Sequence, residues 1–112
     1  MYFDTNKFTI REDAKIQINK AILIINKCPN LKFVASSYTD SRGYRSYNKK
    51  LSQRRATAVV DYINENYEVS AKIIGIGLGE TNFKNHCFNG VKCTKEEHQV
   101  NRRTEIRLLI DN

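Results

Sequence analysis

The chain has 112 residues, of which 40% are hydrophobic and 28% charged, with a formal net charge of +7. That length supports one domain with a core of its own, and the balance of apolar and charged residues excludes a disordered chain. The excess of positive charge suits acidic partners, but the basic residues are spread along the chain and are not interleaved with aromatics in an RNA-binding motif, so a solvated basic surface is expected and no nucleic-acid partner.

In chain order, Tyr2-Phe3 reads as a short edge strand. Thr9 or Arg11 opens a first helix with Ala14, Ile18, Ala21, Ile22 and Ile25 on one face, and Pro29 ends it. Leu31–Tyr38 alternates as a strand, with Leu31, Phe33 and Ala35 on one side. A turn-like run, Thr39-Asp40-Ser41-Arg42-Gly43, leads to a second helix opened by Asn48 or a neighbour. Lys72–Gly77 is a third strand, and Thr104–Ile110 a fourth with Ile106, Leu108 and Ile110 on one side. Between them Leu78–His98 is irregular and long for so small a domain, which signals function, a staple, or both.

The expected fold is α+β: a two-layer α/β sandwich in the order βαβαβ-loop-β, with two main helices on one face of a small mixed four-stranded sheet. No apolar run reaches the roughly 18 residues of a membrane span. Tyr2, Phe3 and Asp4 follow Met1 directly, so no signal peptide opens the chain. A cytosolic protein or one domain of a longer exported protein is expected.

The second helix carries the most informative residue. Leu51, Ala58, Val59, Tyr62 and Ile63 form one apolar stripe, and Arg55 projects into it between Leu51 and Val59. A guanidinium keeps its charge when buried, so it demands an acid or an anionic ligand. Asp40 supplies the acid. Two readings follow: an internal Arg55–Asp40 ion pair that positions the loop, or a pocket in which the acid takes an ammonium and the arginine a carboxylate. Asn101-Arg102-Arg103 adds a second arginine cluster before the last strand. If the preceding loop presents Arg102 to the same pocket, Asp40 alone cannot neutralise both arginines, which favours an anionic group on a ligand.

Other motifs weigh less. Gly75, Gly77 and Gly79 lack the spacing of a dinucleotide fingerprint and are expected to let the chain turn at the strand's end. His86, Cys87, Cys93 and His98 can be arranged as a tetrahedral zinc site, but a disulfide pinning the Phe88–Lys92 loop is simpler and fits the Asn89-Gly90 turn. It requires an oxidising compartment. Cys28 is left over as a small apolar residue. The Cys–His pair has no third group to orient it, and nothing fixes Asp40 against Glu80 as paired carboxylates, so no enzyme is expected.

Thr39-Asp40, Gly43, Tyr47-Asn48, Leu51-Ser52, Arg55-Ala56, Gly77, Gly79-Glu80 and Asn101-Arg102-Arg103-Thr104-Glu105 stand in an order and spacing that resembles the OmpA C-terminal-like peptidoglycan-binding domain. This is the domain shared by outer-membrane porin tails, peptidoglycan-associated lipoproteins and flagellar stator proteins. The resemblance runs from Tyr2 to Ile110, essentially all of residues 1–112. Cys87 to Arg103 looks like the variant of Bacteroidetes-type members, in which a cysteine pair precedes the Asn-Arg-Arg motif. The resemblance implies non-covalent binding of the meso-diaminopimelate in the peptidoglycan stem peptide. Asp40 matches the acid that holds the ammonium and Arg55 the arginine that grips the carboxylate. Asn48 and Arg102 match positions that complete the pocket, while Thr39 and Gly43 shape the loop. No cofactor and no metal are implied. A periplasmic location follows, tied to the outer membrane only through an upstream anchor, and a homodimer is compatible with it. Ser37-Tyr38 stands where the family has Gly-His, which keeps a second expectation in view: a structural or protein-interaction module that has lost the ligand.

Overall fold

The structure, a computed structural model, describes residues 1–28, 30–69 and 71–109. Pro29 and Ile110, assigned above to a helix end and the last strand, lie outside the described residues. Helix α1 (Glu12–Ile25) opens after Arg11 with Glu12 and Asp13 in its first turn, where carboxylates oppose the helix dipole favourably. Ala14, Ile18, Ile22 and Ile25 are its buried face, as their spacing predicts. Strand β1 (Lys32–Tyr38), helix α2 (Arg45–Asn66) and strand β2 (Lys72–Gly79) then form a parallel crossover unit. A short helix α3 (Lys95–Gln99) precedes β3 (Thr104–Leu109), which runs antiparallel to β1.

The sheet among the described residues has three strands in the order β2-β1-β3, not four. Tyr2 makes only an isolated antiparallel bridge to Arg103. Phe3 N–H donates to Arg102 O and Thr104 N–H to Met1 O, but the chain then turns, with Lys7 N–H donating to Asp4 O and Asn6 at φ 57°. The expected edge strand ends before a ladder can extend.

One apolar core joins the layers. Ile18, Ile22 and Ile25 of α1, Val59 and Ile63 of α2, and Phe33 and Ala35 of β1 close around Phe3. Both long helices therefore cover the same sheet face, the architecture expected from the pattern. Each fully buried aliphatic side chain contributes about 1.5–3 kcal/mol.

The glycine run has a different purpose from the expected turn. Gly75 and Gly77 lie within β2, which continues to Gly79. A Cβ on Gly75 would sit 3.1 Å from Ala56 O, and one on Gly77 would overlap the backbone of Gln53. Their missing side chains let α2 settle onto the strand. Only Gly79 adopts a left-handed conformation, at φ 63°, beside a register shift at Ser37/Tyr38. Its N–H donates to Ser52 Oγ (2.8 Å), fixing the strand end to the helix that carries Arg55.

Helix α2 opens at Arg45, after Tyr44, and not at Asn48. Asn48 instead lies one turn inside, buried, with Nδ2 donating to Arg42 O (2.9 Å). It closes the preceding loop by side chain rather than capping the helix. Helix α3 interrupts the stretch expected to be irregular. Thr94 caps it by accepting from Glu97 N–H (3.1 Å), and Glu97 Oε1 accepts from Thr94 N–H (2.9 Å).

Candidate functional site

Asp40 leaves the end of β1 in a loop that Thr39 and Gly43 shape. Thr39 N–H donates to Gly79 O (2.9 Å) and its hydroxyl to Asp40 O (3.0 Å). Gly43, at φ 88°, supplies the left-handed residue that reverses the chain into α2. A cavity of about 220 Å³ opens at this reversal. Asp40, Thr39, Gly43, Asn48, Arg55 and Arg102 all line it, so every residue singled out for the pocket converges there. Thr5, Asn6, Arg42, Tyr47 and Leu51 complete the wall.

The internal pairing differs from the one expected. Arg55 is fully buried but makes no ion pair with Asp40 among the described residues. Its Nε donates to Lys7 O (2.8 Å), Nη1 to Tyr38 O (3.3 Å) and Nη2 to Asp4 O (3.0 Å). Its guanidinium also lies 5.1 Å from the centre of the Phe3 ring. Backbone carbonyls thus provide the partial negative charge that the sequence had suggested an acid would provide. Burial, and then the charge of Arg102, push the Arg55 pKa down to about 10, so the side chain stays cationic at neutral pH.

Asp40 is instead shared by two other arginines. Arg102 Nη1 donates to Oδ2 (2.9 Å), and Arg42 donates through Nη2 to Oδ2 (2.9 Å) and through its backbone N–H to Oδ1 (3.0 Å). Burial pushes the Asp40 carboxyl up, but these hydrogen bonds outweigh it and hold the pKa below the usual carboxylate value. Arg102 is itself buried and held by Phe3 O (2.9 Å) and Gln99 Oε1 (3.0 Å), whereas the Arg42 side chain is 43% exposed. Three guanidinium groups and one carboxylate leave the cavity wall strongly cationic.

Arg42 is the main residue that periodicity did not single out. Its signal was present as the Asp-x-Arg spacing of Asp40 and Arg42, short enough for a local side-chain and backbone chelate. Thr5 and Asn6 carried no comparable signal, because their place depends on the N-terminal segment packing across α2. Tyr38, the departure from Gly-His, does not line the cavity. It is buried, its ring 4.0 Å from the Arg103 guanidinium, and it meets the site only through its carbonyl.

The long loop divides the other candidates. Cys87 and Cys93 are disulfide-bonded, with Cα atoms 6.1 Å apart. His98, grouped above with His86 and the cysteines, is replaced near them by Glu97. His98 is buried; burial, and then the charge of Arg42, lower its pKa. Glu80 is buried just past the end of β2 and pairs with Arg45 (3.4 Å), outside the cavity that holds Asp40.

Comparison with known proteins agrees with the fold. Residues 2–96 match the OmpA family. Outer membrane porin F of Pseudomonas aeruginosa is 31% identical over 104 residues, covering 92% of this chain and 28% of that protein. The peptidoglycan-associated lipoprotein of Rhizobium meliloti is 36% identical over 63 residues, covering 56% and 36% respectively. The chain thus spans well under half the length of these relatives. In structure, the peptidoglycan-associated lipoprotein of Burkholderia pseudomallei superimposes with a TM-score of 0.81 at 20% identity, covering 96% of this chain and 87% of that one.

Proposed function

We propose a function from one premise: the chain belongs to the OmpA family. The reading is non-catalytic binding of peptidoglycan through the meso-diaminopimelate of its stem peptide, which tethers the outer membrane to the cell wall. The observation that carries it is the convergence of Asp40, Arg55 and Arg102 on one small cavity with an excess of cationic charge. A zwitterion with an additional carboxylate complements that wall, whereas a simple cation does not.

Each residue then has a defined task. Asp40 receives the ligand ammonium. Its oxygens are already engaged, so the ammonium takes the place of the half-exposed Arg42 side chain and leaves buried Arg102 paired. Arg55 receives the carboxylate. A guanidinium has five N–H donors; three serve the Lys7, Tyr38 and Asp4 carbonyls, which leaves two for a ligand. Asn48 keeps the Arg42 carbonyl in place, and Thr39 and Gly43 hold the loop open at the correct turn. Binding requires no bond making or breaking.

The location follows from the same reading: a periplasmic domain of a longer protein, attached to the outer membrane by an anchor elsewhere in that protein. Relatives named as an outer membrane porin and a peptidoglycan-associated lipoprotein support it. The cysteine pair before Asn101-Arg102-Arg103 supports a Bacteroidetes-type variant. Titration calorimetry with a meso-diaminopimelate stem peptide, against the lysine-containing equivalent that lacks the second carboxylate, tests the proposal. Binding of the diaminopimelate form alone, lost at least tenfold in Arg55→Lys, is expected. Equal binding of both peptides overturns the carboxylate assignment, and absence of binding leaves a module that has lost the ligand.

A further inference from the structure

Outside the cavity, the loop before α3 gathers a second chemically distinct group. His86, Cys87, Cys93 and Glu97 each offer a donor atom, and all four atoms lie within 4.8 Å of one another. The set is two sulfurs, one imidazole nitrogen and one carboxylate oxygen. His86 Nε2 already stands 3.2 Å from Glu97 Oε2. In a tetrahedral zinc site with bonds of about 2.0–2.3 Å, neighbouring donors are roughly 3.3–3.8 Å apart. Pairs that stand up to 4.8 Å apart close by about 1–1.5 Å to reach that geometry, and the two sulfurs, bonded to each other here, part to about 3.8 Å once reduced. Adjacency of His86 and Cys87 in sequence does not keep their donors apart.

The loop is held by contacts that do not depend on the sulfur–sulfur bond. Asn85 Nδ2 donates to Glu97 O (2.8 Å), and Asn85 Oδ1 accepts from Cys87 N–H (3.1 Å) and Asn101 Nδ2 (2.9 Å). Glu97 is fixed by its capping bond to Thr94, and the Phe83 and Phe88 rings meet edge to face at 5.7 Å. Two thiols in this frame remain near His86 and Glu97 when the disulfide is opened.

We propose that Cys87, Cys93, His86 and Glu97 form a zinc site when the disulfide is reduced, so that the loop is stapled by either a disulfide or a metal ion. The two states exchange by balanced chemistry. A dithiol reductant supplies two electrons and two protons, giving two cysteine thiols, and itself becomes a disulfide. Zinc then displaces the two thiol protons and binds two thiolates, one neutral imidazole and one carboxylate. The mixed sulfur, nitrogen and oxygen set suits borderline-soft Zn²⁺ and not Mg²⁺ or Ca²⁺, which prefer oxygen. The site is independent of the peptidoglycan reading, because none of its residues lines that cavity.

The test uses the 112-residue chain carrying Cys28→Ser, which leaves Cys87 and Cys93 as its two cysteines. Reduced and freed of reductant without air, it is titrated with Zn²⁺ against a chromophoric chelator, and with Co²⁺ to read thiolate-to-metal charge transfer. One ion per reduced chain and none per oxidised chain is the expected result, with affinity at least tenfold weaker in His86→Ala and in Glu97→Gln. In the unsubstituted reduced chain, zinc should protect two of the three cysteines from alkylation by N-ethylmaleimide, read by mass spectrometry. The proposal is overturned by an absence of zinc binding, by equal binding to the oxidised chain, or by unchanged affinity in both variants. Protection of none or of all three thiols overturns it as well.

Discussion

Replacing Asp40 by Asn keeps the shape of the side chain but removes the charge that two arginines share. Arg42 lies near the surface and can turn to water. Arg102 cannot, since its side chain is 7% exposed and anchored by Phe3 O and Gln99 Oε1. An uncompensated buried charge costs about 3–5 kcal/mol. The two retained hydrogen bonds place Arg102 at the lower end, near 3 kcal/mol by that same scale. With an unfolding entropy of about 2.1 cal/mol/K per residue, this corresponds to a fall in Tm of roughly 10–15 °C. Arg42→Ala, by contrast, removes a half-exposed partner and should cost under about 1 kcal/mol. Urea unfolding of Asp40→Asn, Arg102→Met and the double variant completes the comparison. The double variant should recover about 2 kcal/mol relative to the sum of the single changes, because no buried charge is left alone. A cost below about 1 kcal/mol for Asp40→Asn, or additive single changes, would refute the reasoning.

Four further outcomes are expected. At Glu105, burial pushes the pKa up, but hydrogen bonds from Arg103, Lys84 and Arg107 hold it down at about 2 against an ordinary 4.5. Its contribution, roughly 2 kcal/mol after allowing for partial exposure, is present above the ordinary value and lost as pH falls through about 2; Glu105→Gln should flatten that part of an acid unfolding profile. Gly77→Ala should cost at least about 2 kcal/mol in urea, since its Cβ meets α2 backbone. Gly90→Ala meets no atom within 4 Å, so only the strain of its φ of 81° remains, about 1–2 kcal/mol. Reducing Cys87–Cys93 in the presence of a chelator should destabilise the chain by about 2 kcal/mol, the entropy of so short a loop, with the folded far-UV spectrum retained.

Much of the fold was legible because apolar spacing and the packing geometry agreed. The buried faces of α1 and α2 follow from periodicity, whereas the central place of β1 and the antiparallel run of β3 are set by strand pairing that periodicity does not encode. The edge strand at Tyr2-Phe3 was misread because composition does not show that Asn6 turns the chain away from the sheet. Helix α3 was overlooked although Thr94-x-x-Glu97 is a capping box; a helix of 5 residues has too little periodicity to be seen against a cysteine-rich loop. At the site, the misplaced charge of Arg55 pointed to the cavity that it lines with Asp40, but not to the carbonyls that hold it. Side-chain types can announce that a buried arginine needs negative charge. They are silent about carbonyls, which every residue possesses and only tertiary structure aims.

The first seven residues bear on how the domain responds to load. Phe3 and Asp4 carbonyls hold Arg102 and Arg55, Lys7 holds Arg55 again, and the Tyr2–Arg103 bridge ties the same segment to the start of β3. A pull at Met1 therefore reaches Arg55 and Arg102 before it reaches the sheet interior. That segment is joined to the sheet by a single bridge with its flanking hydrogen bonds, and parting it withdraws the carbonyls that orient both guanidinium groups. Tension and ligand grip share the same few atoms.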